Sequence, residues 1–230
     1  MVESSTAPYI HTMSMLDIPA AVGLHERELT GDFMSRFGGR FLARLYRAFL
    51  ESPHAEALVS VDPRSGEPTG ALLGTLDTPA HNSFVVRRHG PALALYGLGR
   101  ALLHPALARD VLRTRAGRYA RGVARSAFAG KRGAKPGRDD AERVGVVSYV
   151  MVAGGRRGCG IGASLVAAYE ERARWAGLDR LELVTHPDGR GAGSFYRRIG
   201  WSYAGERVSA SGERFALYSR YLNQRPPAEC

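Results

Sequence analysis

V-G-V-V-S-Y-V-M-V-A-G-G-R-R-G-C-G-I-G, Val144 to Gly162, is a β-branched apolar run that breaks into glycine and arginine and then enters a helical pattern. β-branched residues favour strands and glycine clusters punctuate them. The stretch reads as a buried strand, a turn of exposed backbone amides, and a helix N-terminus. Such a terminus carries unsatisfied N–H groups and a partial positive charge, so it attracts anions. Gly158, Gly160 and Gly162 put no side chain in the way of a diphosphate, and Arg157 adds a charged donor. The plainer reading is a strand-to-helix turn that is merely rich in glycine.

Working outward, Ile161, Leu165, Tyr169 and Ala173 recur every four residues and predict a helix that stops at Gly177. A strand over Leu181–His186, a short helix over Gly191–Arg198 closed by Gly200, and two strands over Trp201–Ser209 and Glu213–Tyr221 follow. Upstream, Tyr9–Leu16 alternates as a first strand. Asp17 is placed to cap the next helix, with Pro19 in its first turn. Phe33, Phe37, Phe41, Leu45 and Phe49 form an apolar stripe ending near Ser52-Pro53, interrupted by Gly38-Gly39. Glu56–Thr78 reads as a hairpin turning at D-P-R-S-G-E-P. Pro91 and Pro105 are expected to open helices, and Gly130–Arg138 to be a loop. The order β-α-α-β-β-(insert)-β-α-β-α-β-β predicts a mixed α/β sheet with helices on both faces.

The chain has 230 residues and a formal net charge of +10. That suits one domain, 1–230, and the charge is uneven. Residues 87–138 hold 13 Lys/Arg against the single acid Asp110, so the remainder is slightly acidic. This basic, helical insertion suits an acidic or phosphorylated partner. Sparse aromatics (Tyr96, Tyr119, Phe128) disfavour nucleic acid. No apolar run reaches the ~18–20 residues of a membrane span. The opening M-V-E-S-S-T-A-P has no secretory pattern, so a cytoplasmic protein is expected. Cys159 and Cys230 have no metal-binding spacing, and no metal is expected. A dinucleotide fold would need an acid ending the strand after the glycines, where Thr185-His186-Pro187 stand. G-x-x-x-x-G-K-[ST] is absent.

R-G-C-G-I-G (Arg157–Gly162) resembles the R/Q-x-x-G-x-G/A signature of the GNAT family of N-acetyltransferases. A-G-S-F-Y-R-R-I-G-W (Ala192–Trp201) resembles the family's A-x-x-F-Y-x-x-x-G-F segment, with Tyr196 falling 39 residues after Arg157. The resemblance covers roughly 9–80 by element order and 140–222 by motif, and leaves out the basic insert. It implies a mostly antiparallel sheet with one splayed parallel pair, between whose strands acetyl-CoA enters as co-substrate.

The resemblance also implies roles. Arg157, Gly158, Cys159, Gly160, Ile161 and Gly162 would hold the pyrophosphate, and Val150, Met151 and Val152 would pair with the pantetheine amides. Ser194 is a further cofactor contact. A bulge at Val150–Val152 would offer an N–H to the thioester carbonyl, where charge develops in the transition state. Tyr196 becomes the general acid for the leaving thiolate, since a phenol (pKa near ~10) is protonated at neutral pH; its plainer role is a core aromatic beside Phe195. The base for the acceptor amine is open among His25, Glu28, Asp32, Ser148 through water, or none. Gly154-Gly155 replaces the family's usual Pro and its neighbour, and His186–Gly191 stands where an Asn is frequent. Three activities follow as expectations: N-acylation of a small-molecule amine or amino sugar, acylation of a protein or carrier-bound substrate docked on the insert, or CoA binding without turnover. A homodimer is compatible with each.

Overall fold

The computed structural model describes residues 8–107, 109, 142–187, 192–209 and 212–222. Seven strands form one sheet: β1 (Tyr9–Thr12), β2 (Ala55–Val61), β3 (Pro68–Thr75), β4 (Val144–Val152), β5 (Arg180–Thr185), β6 (Ser202–Val208) and β7 (Arg214–Tyr221). Their spatial order is β1-β2-β3-β4-β5-β7-β6, with β4 and β5 parallel and every other pair antiparallel. The mostly antiparallel sheet with one parallel pair is therefore observed.

Each face has its own helices. α1 (Ile18–Glu28) and α2 (Gly39–Glu51) cover one side through Leu24, Leu42, Tyr46 and Phe49, against Ala57, Val59, Ala71, Leu73 and Met151. α4 (Ile161–Trp175) covers the other, setting Leu165, Tyr169 and Ala173 on Leu58, Leu72 and Val147. Alternating strand residues supply both cores because successive side chains point to opposite faces. Leu165, Tyr169 and Ala173 are all fully buried, so the four-residue spacing did mark the core stripe.

Several details depart from the sequence expectation. The Phe33–Phe49 stripe is not one helix: a 3-10 turn at Met34–Phe37 ends at Gly38, whose φ of +82° a side chain rarely adopts, and α2 begins after it. β1 stops at Thr12 rather than Leu16. Asp17 does not cap α1, because its carboxylate turns back to accept from the Ser14 amide and hydroxyl, each at 2.7 Å. Pro91 opens no helix. It lies inside α3 (Thr78–Leu103), which starts thirteen residues earlier with Asp77 accepting from Ala80 N at 2.9 Å and Pro79 in its first turn. Pro91 is exposed, where solvent can take the carbonyl that its missing N–H leaves free. The rest of the basic segment, 108 and 110–138, lies outside the described residues, as do Cys230 and most of His186–Gly191. No helix among the described residues is long and apolar enough to cross a membrane.

Candidate active site

β4 is the strand on which the site is built. It pairs with β5 only from Val144↔Arg180 to Val146↔Glu182, although the two strands run on to Val152 and Thr185. Beyond that point they part, leaving a wedge with unpaired edges. On its other side β4 stays zipped to β3, with one slip: Gly74 faces Val147 and Leu73 faces Tyr149, so Ser148 is the extra residue of a bulge. The bulge lies before the expected Val150–Val152 position. It flips the alternation, since Val147 belongs to the α4 core while Tyr149 and Met151 belong to the α1/α2 core. Tyr169 pins the spot from below, its hydroxyl donating to Thr75 O at 2.9 Å and lying 3.3 Å from Val146 O.

At the C-terminal end of β4 the glycine turn follows. Gly158 and Gly160 have φ of +82° and +80°, the left-handed conformation that turns successive amides toward one concavity. Gly160 precedes α4 with no side-chain cap, so the first N–H groups of the helix are left for another acceptor. Gly162 serves by close approach: a Cβ there would meet Phe195 Cζ at 3.2 Å. The two sequence motifs therefore touch. A buried bond also links them, Trp201 Nε1 donating to Glu170 Oε1 of α4 at 2.9 Å. Arg220 of β7 lies 3.2 Å from the same carboxylate and donates to Ile199 O, fixing the end of α5 (Gly193–Arg198).

A cleft of about 1230 Å³ runs along the wedge. Val150, Met151, Val152, Arg157, Gly158, Gly160, Ile161 and Gly162 line it, with Tyr196, Ser148, Glu28 and Asp32. Cys159 and Ser194 are exposed and lie outside the lining. Tyr196 is buried among Phe195, Trp201 and Tyr218, ring centroids 5.0, 5.7 and 6.2 Å away. Burial pushes its hydroxyl above the ordinary phenol value, so it stays protonated.

His25 is fully buried and lines no part of the cleft. It stands behind Asp32: Nδ1 is 3.1 Å from the Tyr46 hydroxyl and Nε2 is 3.4 Å from Asp32 Oδ2. Burial raises Tyr46 well above the phenol range, so Tyr46 keeps its hydrogen. The Met34 amide donates to the same Asp32 oxygen at 2.8 Å. Glu28 is engaged with the glycine turn instead, accepting from Gly154 N at 2.9 Å and from the Arg157 guanidinium at 2.6 Å. Arg156 is paired in the same way with Asp62.

Sequence reasoning missed part of the lining. Thr78, His81, Asn82 and Val85 of α3, with Leu45 and Phe49 of α2 and Thr75 of β3, also line the cleft. The signal available was Asp77-Thr78-Pro79, a cap followed by a first-turn proline, read instead as the end of a hairpin.

The uncapped helix, the left-handed glycines and the open strand edge fit a CoA pyrophosphate and its pantetheine arm. Among the described residues there is no cluster of His, Cys, Asp and Glu able to hold a metal. The family model described as the acetyltransferase (GNAT) family matches residues 26–201. No curated protein matches the chain. Among solved structures, an aminoglycoside 6'-N-acetyltransferase complexed with coenzyme A aligns with TM-score 0.56 at 13% identity, covering 95% of this chain and 99% of that one. The ribosomal-protein-S18-alanine N-acetyltransferase from Escherichia coli aligns with TM-score 0.54 at 9% identity over 97% and 99%. Ard1 from Thermoplasma volcanium gives 0.55 at 14% identity over 95% and 100%. At these identities the structures share the fold, and the family match extends the relation to the sequence: the chain belongs to the acetyltransferase (GNAT) family, N-acetyltransferases for which acetyl-CoA is the co-substrate.

Proposed function

We propose that the chain transfers an acyl group from acyl-CoA to a primary amine of a small molecule or amino sugar, by direct attack of the amine on the thioester. The observation that carries this is the convergence in the lining of one cleft of the wedge beside β4, Tyr196 and Asp32. The amides from Arg157 to Gly162 hold the phosphates, while Val150–Val152 offers backbone partners to the pantetheine chain. The β4 bulge at Ser148 turns backbone toward the thioester carbonyl, where a fixed N–H lowers the cost of developing negative charge.

Asp32 receives the acceptor. Two donors hold one of its oxygens, and the other, which has no partner among the described residues, binds an ammonium and takes its proton, since only the neutral amine attacks. The Tyr46–His25–Asp32 chain is consistent with His25 carrying hydrogen on Nε2 toward the carboxylate and accepting from Tyr46 at Nδ1. His25 is then a positioning residue. Tyr196 closes the reaction by donating its hydrogen to the departing sulfur. Because burial disfavours its phenolate, the hydroxyl keeps its hydrogen and acts as a hydrogen-bond donor that stabilises the charge building on the departing thiolate. Two of the similar structures are aminoglycoside acetyltransferases, which supports including amino sugars among the acceptors.

A thiol-release assay with acetyl-CoA and a panel of amino sugars, polyamines and peptides tests this. Tyr196→Phe is expected to lower kcat about 100-fold with little change in acetyl-CoA affinity. An unaltered kcat removes Tyr196 from the chemistry; acetyl-CoA binding without thiol release on any acceptor removes the transfer itself.

A further inference from the structure

His81 belongs to no part of the machinery above. It lies on the first turn of α3, between two strands that pair directly in the sheet, so the chain leaves β3 and returns at β4 by way of this helix. The residue is 3% exposed and its ring packs on Phe49 with centroids 4.4 Å apart. Its Nδ1 is shut away from solvent and has no hydrogen-bond partner among the described residues, yet the residue borders the cleft. A hydrogen on the enclosed Nδ1 would be an orphaned donor, the rarest kind of unpaired group, so the favoured tautomer carries it on Nε2. The lining of the cleft here mixes polar and apolar groups. The Thr75 and Thr78 hydroxyls lie 2.6 Å apart and Asn82 is the next residue, while Phe49 and Val85 complete the lining.

We propose that His81 is a specificity determinant that donates its Nε2 hydrogen to a hydroxyl oxygen of the acceptor, so that the enzyme selects hydroxylated amines (amino sugars and amino alcohols) over plain alkyl amines. This rests on the transfer reading above. The division of labour is chemical: Asp32 meets the cationic nitrogen, and a neutral N–H donor suits an oxygen lone pair that an ammonium lacks. Burial, with His54 and His89 nearby, pushes the imidazole down to about 4, so the ring is uncharged at neutral pH and does not repel the acceptor's ammonium.

The test uses glucosamine and kanamycin as hydroxylated acceptors, and cyclohexylamine and cadaverine as amines without hydroxyls. The wild-type enzyme is expected to favour the first pair. His81→Phe keeps the ring against Phe49 and removes both nitrogens. It is expected to lower kcat/KM about tenfold on the hydroxylated acceptors, mainly through KM, and to leave the plain amines and the KM for acetyl-CoA within twofold. His81→Gln, which restores a donor, is expected to recover part of the loss. Nitrogen NMR of histidine-labelled protein is expected to place the hydrogen on Nε2. Equal losses on both acceptor classes, no loss on either, a wild-type preference for plain amines, or hydrogen on Nδ1 would each overturn the inference. Acetyl-CoA binding with no turnover of any acceptor is a different result: it overturns the transfer reading and takes this inference with it.

Discussion

Replacing Glu28 by Gln should tighten acetyl-CoA binding, although the residue sits in the site and makes two good hydrogen bonds. Its carboxylate holds Gly154 N at 2.9 Å and the Arg157 guanidinium at 2.6 Å, so it occupies one donor assigned to the pyrophosphate and an amide three residues before it. Arg157 is 63% exposed and Glu28 14%, and an ion pair this open to solvent is worth at most about 1 kcal/mol. Against that stands repulsion between the carboxylate and an incoming diphosphate. Two unit charges ~4 Å apart interact by about 1 kcal/mol in water and about 4 kcal/mol at a surface dielectric of ~20. Glutamine keeps an oxygen for Gly154 and drops the charge. A net gain of about 1 kcal/mol, roughly fivefold in Kd, is expected at low salt. Isothermal titration with acetyl-CoA measures it at ~0.1 M and ~1 M salt, where the Debye length falls from about 10 to about 3 Å and the advantage should shrink. Glu26→Gln, the same charge change on the exposed side of the same helix, should give a much smaller effect. Weaker binding by Glu28→Gln would refute the competition and make Glu28 a support of the turn.

Other outcomes follow from the same contacts. Glu170 is buried while accepting from Trp201 Nε1 and facing Arg174 and Arg220, so Glu170→Ala should cost about 3 kcal/mol in urea unfolding. Glu170→Gln, which keeps an acceptor for the indole, should cost clearly less; equal costs would argue against the hydrogen bond. Gly74→Ala drives a methyl into the Tyr169 ring at the β4 bulge and should cost about 3 kcal/mol, read as a lower urea midpoint. An unchanged midpoint would mean that the ring is free to move. His81 titrates at about 4 when folded against an ordinary 6.5. The unfolded chain therefore binds more protons between those values, and the stabilisation is full above ~6.5 and lost as pH falls toward 4. The wild type should lose about 2–3 kcal/mol more than His81→Phe between pH 7 and pH 4.5, measured by urea unfolding; parallel losses would show that His81 titrates normally.

The amino-acid order alone determined most of the frame. Val144–Val152, the glycine turn and the Ile161–Ala173 stripe were legible because each is local: β-branched residues, left-handed glycines and a four-residue apolar period act over one element. The pairing of Arg157–Gly162 with Ala192–Trp201 was legible as well, and the structure supplies its physical basis in the Gly162–Phe195 approach and the Trp201–Glu170 bond. The start of α3 was misread because Pro91 looked like a helix opening, and nothing local says that a helix already under way will tolerate it.

What only the tertiary structure decided is the state of each polar side chain. Glu28, Asp32 and His25 are equivalent candidates in the sequence. Folding ties the first to Arg157, leaves the second at the cleft with one oxygen held, and seals the third behind it against Tyr46. The bulge at Ser148 depends on register with β3, and His81 becomes part of a wall only when α3 lies along α2. The reason is common to all of them: hydrogen-bond partners and burial are set by residues distant in sequence, which the chain brings together only as its two cores close.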